Sequence, residues 1–135
     1  MNSGNNTSSV EGDGEKPVVL VVEDEVRVQM LVMEVLEDLG VEALEANEAG
    51  AALDILKADA RIQLLVTDVG LPGMNGRQLA EAARALRPEL KILFVTGYAD
   101  KAAAGEFDGQ GMDMITKPFA LETLSDKVSE MLGRA

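Results

Sequence analysis

The chain carries 24 acids against 12 lysines and arginines over 135 residues, a formal net charge of −12 with a pI near 4.3, and it has neither cysteine nor histidine. Its length suits one domain with a single core, and its charge argues against direct binding to nucleic acid or an anionic membrane, because phosphates need lysine and arginine to displace their counterions. The missing cysteine excludes disulfides and thiolate metal sites, and the missing histidine removes the usual general base, the commonest transition-metal ligand and any phosphohistidine on this chain. Metal-binding carboxylates should then prefer a hard ion such as Mg²⁺. There is no apolar run of about 18 residues and no basic start followed by an apolar centre, so a cytoplasmic protein is expected.

Residues 1–16 are mostly Asn, Ser, Gly and Glu; they have too little to bury to offset their ordering entropy, and a disordered tail is expected ahead of a domain over 17–133. Pro17 to Val22 is a nearly continuous β-branched run, which reads as a strand covered on both faces, and it ends in Glu23-Asp24-Glu25. From Val26 the period changes. Val28, Leu31, Val32, Val35, Leu36 and Leu39 form the stripe of an amphipathic helix, with Gly40 as its terminator. Met30 and Met33 lie off that stripe.

Val41 to Ala46 reads as a more polar edge strand, and Asn47 is placed to cap a helix through Ala49, Ala52, Leu53 and Leu56. Leu64 to Asp68 is a second buried strand, followed by a turn rich in Gly, Pro and Asn. Asn75 would cap a third helix bearing Leu79, Ala82, Ala83 and Leu86, ending at Arg87 because Pro88 disfavours helix before it. Lys91 to Thr96 is again a strand. Asp100 to Gln110 should be a marginal helix, since Gly105 costs about 1 kcal/mol relative to alanine and Phe107 is almost its only large anchor. Asp113 to Thr116 is the last strand, Lys117-Pro118 turns the chain, and Leu121, Leu124, Val128, Met131 and Leu132 stripe a closing helix.

Strict alternation of about five strands and five helices calls for right-handed crossovers and a doubly wound parallel sheet, most simply the flavodoxin-like α/β order 2-1-3-4-5. Ligands of such sheets bind outside the carboxyl ends of the strands, at the switch point between the first and third strands. Glu23, Asp24 and Asp68 would meet there. Three converging carboxylates repel one another unless a cation sits among them, and Mg²⁺ suits the case. Asp24 is the leading ligand, with Glu23 direct or through water, Asp68 by one oxygen, and the Gly70 backbone carbonyl. Singly, each residue has a plainer reading: Asp68 a turn cap, Glu23 to Glu25 acids at a helix start, Thr96 a strand residue, Lys117 a solvated cation. Their joint placement at strand ends favours a site.

Leu20-Val21-Val22-Glu23-Asp24, Asp68-Val69-Gly70-Leu71-Pro72-Gly73-Met74-Asn75-Gly76, Thr96-Gly97-Tyr98 and Lys117-Pro118-Phe119 together resemble the signature of the receiver domain of two-component response regulators. The resemblance runs from about Pro17 to Leu132. It implies that Asp68 is a phosphoacceptor, that Glu23 and Asp24 are the Mg²⁺ acids, that Thr96 binds the phosphoryl group in the active state, and that Lys117 pairs with its oxygens. It also implies a sensor histidine kinase or histidine phosphotransfer protein as donor, a downstream protein as target, and signalling rather than substrate turnover. Gly97 fits the small residue the family uses after the threonine. Met114 stands where the family commonly has a switch tyrosine or phenylalanine, so Tyr98, on the loop feeding the marginal helix, is the other switch candidate. Phosphorylation is expected to change the surface over the second half of the sheet and residues 100–110.

Two rival functions are a receiver-like interaction module without phosphorylation and a Mg²⁺-dependent aspartate-nucleophile phosphohydrolase. The second resembles the haloacid dehalogenase type less well, because Gly70 stands where a second aspartate would serve as acid/base. A flavin phosphate loop is disfavoured by the three acids after the first strand. The sequence also ends soon after the closing helix, which reads either as a stand-alone receiver or as part of a hybrid kinase or larger regulator.

Overall fold

A computed structural model describes residues 16–71, 73–97 and 111–133. Its five strands are β1 (Val18–Val22), β2 (Glu42–Ala46), β3 (Ile62–Asp68), β4 (Lys91–Thr96) and β5 (Met112–Thr116). Four helices accompany them among the described residues: α1 (Val26–Asp38), α2 (Ala49–Ala58), α3 (Gly76–Leu86) and α4 (Leu121–Met131). All strand pairs are parallel and the sheet order is β2-β1-β3-β4-β5, the flavodoxin-like order expected. The expected tail and the marginal helix over 100–110 lie outside the described residues.

The alternation of side chains along the strands separates two apolar layers. Val18, Leu20, Val22, Leu65, Ile92 and Phe94 pack with α2 and α3, whereas Val19, Val21, Leu64, Val66, Leu93 and Val95 pack with α1 and α4. β1 is buried along its whole length, as its unbroken Val/Leu run required, and each such side chain contributes about 1.5–3 kcal/mol of burial. β2, at the edge, is mostly half-buried.

Helix termini follow local chemistry in most places. α1 closes on Gly40 at φ 76°, with Gly40 N–H donating to Glu37 O (3.0 Å) and Val41 N–H to Leu36 O (3.2 Å), the paired bonds of a Schellman end. Asn75 caps α3 as expected: its side chain accepts from Gln78 N–H while Gln78 Oε1 accepts from Asn75 N–H. Two expectations are corrected. Asn47 does not cap α2, which starts one residue later with Glu48 at its N-cap and no side-chain bond. Leu31, Leu86 and Leu121, each assigned to a helix stripe, are 39%, 43% and 44% exposed and lie outside the packed faces, whereas Met33 packs against the core. β3 starts at Ile62, and β5 starts at Met112, each slightly ahead of its apolar signal.

Candidate functional site

The sheet order makes β1 and β3 neighbours, with Val22 paired to Thr67, so the next residues, Glu23 and Asp68, leave the sheet side by side. Glu23 and Asp68 are buried and Asp24 is exposed, and one carboxylate oxygen from each lies within 4.8 Å of the others. Lys117, just past β5, reaches this group: its Nζ is 3.0 Å from Asp68 Oδ2, 3.5 Å from Glu23 Oε1 and 3.6 Å from Glu25 Oε1. The residues predicted from four separated stretches thus converge at one crevice, with one qualification. Thr96 ends β4, one residue beyond Val95, which pairs with Asp68. Its hydroxyl is buried and donates to Gly97 O at 2.9 Å, making no hydrogen bond to Asp68.

The Asp68 carboxylate is held at both oxygens. Oδ2 accepts from Lys117, and Oδ1 accepts from Gly70 N–H at 3.0 Å. Gly70 meets Asp68 through its N–H, a contact separate from the metal-ligand role expected of its carbonyl. Glu23 is fixed likewise, accepting from Glu25 N–H at 3.1 Å, with its own N–H donating to Ala46 O. The backbone of Lys117 donates to Thr96 O at 2.7 Å, which ties the ends of β4 and β5 together.

Charge in the crevice is unbalanced. Burial, and next to it the negative Asp68, push the Glu23 carboxyl up to about 7. Burial opposes the Lys117 charge, but the hydrogen bond to Asp68 and the nearby Glu23 and Glu25 outweigh it and raise its pKa. A hard divalent cation fits this donor set: three carboxylates converge there and one ammonium cannot neutralise them all.

Sequence reasoning missed the part played by Gly76. A Cβ at this position would collide with the Asp68 carbonyl oxygen, and Gly76 N–H donates to Val69 O at 2.9 Å. The start of α3 is thereby pressed against the backbone of Asp68, and only glycine permits the approach. The signal was present as a glycine directly after the Asn75 cap. Met114 is half-buried against the α2/α3 layer and pairs with Phe94 across β4. Tyr98 lies outside the described residues.

This fold with an acidic crevice at its switch point and a lysine from the last strand's end defines a class of signalling domain. Residues 19–129 match the response regulator receiver domain, and the chain belongs to that family, the receiver domains of two-component systems. It is 35% identical over 118 residues to the sensor kinase CckA of Brucella abortus (strain 2308), covering 86% of this chain and 12% of that protein. It is 30% identical over 115 residues to the response regulator receiver protein CpdR of the same organism, covering 84% of this chain and 95% of CpdR. The receiver domain of NtrX from Brucella abortus superposes with a TM-score of 0.78 at 30% identity, over 87% of this chain and 99% of that one. The chain thus spans about an eighth of the kinase's length and nearly all of CpdR's. Receiver domains are signalling domains rather than substrate-turnover enzymes, which removes the phosphohydrolase reading. Among the described residues no helix is long and apolar enough to cross a membrane.

Proposed function

We propose that this receiver domain takes a phosphoryl group onto Asp68 from a phosphohistidine on a sensor histidine kinase or histidine phosphotransfer protein, and passes the signal to a downstream protein. The observation that carries the reading is the Asp68 carboxylate, gripped by Lys117 Nζ at 3.0 Å and Gly70 N–H at 3.0 Å beside a Glu23-Asp24 pair. An Asp68 oxygen forms a bond to phosphorus as the donor's P–N bond breaks. The electron pair of that bond stays on the imidazole nitrogen, which takes up a proton from solvent.

Glu23, Asp24, one oxygen of Asp68 and the Gly70 carbonyl would hold Mg²⁺, which when bound supplies neutralisation of the phosphoryl oxygens. Lys117 leaves its carboxylate partners to pair with those oxygens. The Thr96 hydroxyl must turn from Gly97 O to join it, and this rotation is the conformational step the resting geometry implies. Water later attacks phosphorus, which returns the carboxylate and free phosphate. The surface proposed to report the change is the second half of the sheet with residues 100–110, and Tyr98 and Met114 are the candidates for coupling.

Intact-mass measurement after incubation with Mg²⁺ and acetyl phosphate tests the reading. One phosphoryl group is expected on wild type and none on Asp68→Asn. An unlabelled wild type would leave an interaction module instead, and labelling that survives Asp68→Asn would move the acceptor elsewhere.

A further inference from the structure

Glu25 stands apart from the three-acid group, yet its carboxylate lies 3.6 Å from Lys117 Nζ and its side chain is 61% exposed. The other two carboxylates on Lys117, those of Glu23 and Asp68, are buried. One ammonium is therefore shared by two acids that belong to the crevice and one acid at its mouth. Three carboxylates lie within 3.6 Å of this one lysine and Asp24 adds a fourth acid to the crevice, so with all four ionised a divalent cation still leaves one negative charge in excess. Glu25 supplies a charge that no metal ligand set requires.

We infer that Glu25 is a positioning and selectivity residue, tethering Lys117 in the resting domain and repelling free anionic phosphodonors from the crevice mouth. This rests on Asp68 being the phosphoacceptor. A dianion diffusing from solvent meets the excess charge directly. A donor carried on a protein surface, by contrast, can cover Glu25 with a basic side chain of its own as it docks. Because Glu25 is exposed, its effect is that of one charge in near-aqueous dielectric within a Debye length, about three- to sixfold in rate at low salt.

The test uses the full chain with Mg²⁺ and acetyl phosphate, whose P–O bond breaks to release acetate as Asp68 is phosphorylated. Glu25→Gln is expected to raise the second-order labelling rate about three- to sixfold at low ionic strength, with most of the gain gone in about 0.5 M salt. Glu25→Asp, which keeps the charge, stays within about twofold of wild type. In metal-free protein the Lys117 side-chain NMR signals shift with Glu25→Gln and not with Glu34→Gln, an exposed acid further along α1. An equal gain from Glu25→Asp and Glu25→Gln, a salt-independent gain, or no gain would overturn the inference while leaving Asp68 as acceptor. An unlabelled wild type would overturn both.

Discussion

The two ends of the sheet treat their cations in opposite ways. At the carboxyl end Lys117 is surrounded by Asp68, Glu23 and Glu25, with carboxylates in excess. At the amino end the cations are consumed by structure. Arg87 donates to the carbonyls of Ala60 (2.9 Å) and Ile62 (2.7 Å), Lys91 to Met131 O at the end of α4 (2.7 Å), and Arg84 to Leu90 O (2.6 Å). Arg61 pairs with Asp59 and Glu42 on the surface. One end satisfies orphan carbonyls of loops and helix ends, whereas the other keeps buried acids that only a further cation would neutralise. Residual electrostatic stress marks the end to which the proposed phosphoryl transfer is assigned.

Removing the central cation is the strongest way to break this contrast. Lys117→Ala is expected to slow Mg²⁺-dependent labelling by about 100-fold, the scale of losing a charged group at a developing oxyanion, as followed by intact mass against time. Next comes Gly76→Ala, whose methyl must push back the Asp68 carbonyl. Denaturant unfolding should register a loss of about 1–3 kcal/mol, with labelling slowed as well because the displaced backbone carries the proposed acceptor, Asp68. Arg87→Ala sharpens the comparison from the other end. It strands the carbonyls of Ala60 and of Ile62 at the start of β3 and should cost about 1–3 kcal/mol in the same unfolding measurement, with no change in labelling rate. A labelling defect in Arg87→Ala equal to that of Gly76→Ala would show that the ends are not separable.

A subtler effect is the response to pH. Glu23 titrates near an ordinary 4.5 when unfolded and about 7 in the metal-free fold, so the folded state binds more protons between those values. Stability from this group is therefore greatest below 4.5, falls as pH rises through the window and is lowest above 7. In the proposed site Mg²⁺ would bind the ionised Glu23 carboxylate, so its upward shift of Tm should be larger at pH 8 than at pH 6 and should lose that pH dependence in Glu23→Gln. Smallest of all is Arg61→Ala, which should leave Tm and labelling nearly unchanged because the guanidinium side chain is 60% exposed.

Much of this was legible along the chain. The uninterrupted apolar runs of β1, β3 and β4 announced strands covered on both faces, and the 3.6-residue stripes announced helices between them. The Asn75 cap and the Gly40 terminator carried their own local signals. Errors fell where local signals compete. Asn47 is the better N-cap by local chemistry, yet α2 starts after Glu48, which caps it with no side-chain bond. Leu31 has a helical spacing from Val28 and Val35, but its angle on α1 points it partly away from the sheet.

What the sequence determined by itself was the alternation of strands and helices and the identity of the charged residues at the strand ends, because hydrophobic period and turn chemistry act over a few residues at a time. The tertiary structure decided which of those groups touch. It set Lys117 on three carboxylates including Glu25, turned the Thr96 hydroxyl to Gly97, and wedged Gly76 against Asp68. The physical reason is distance: a carboxylate's behaviour depends on charges and dipoles a few ångströms away in space, and residues 49 apart in the chain, such as Asp68 and Lys117, become neighbours only once two layers of helices have buried the sheet between them.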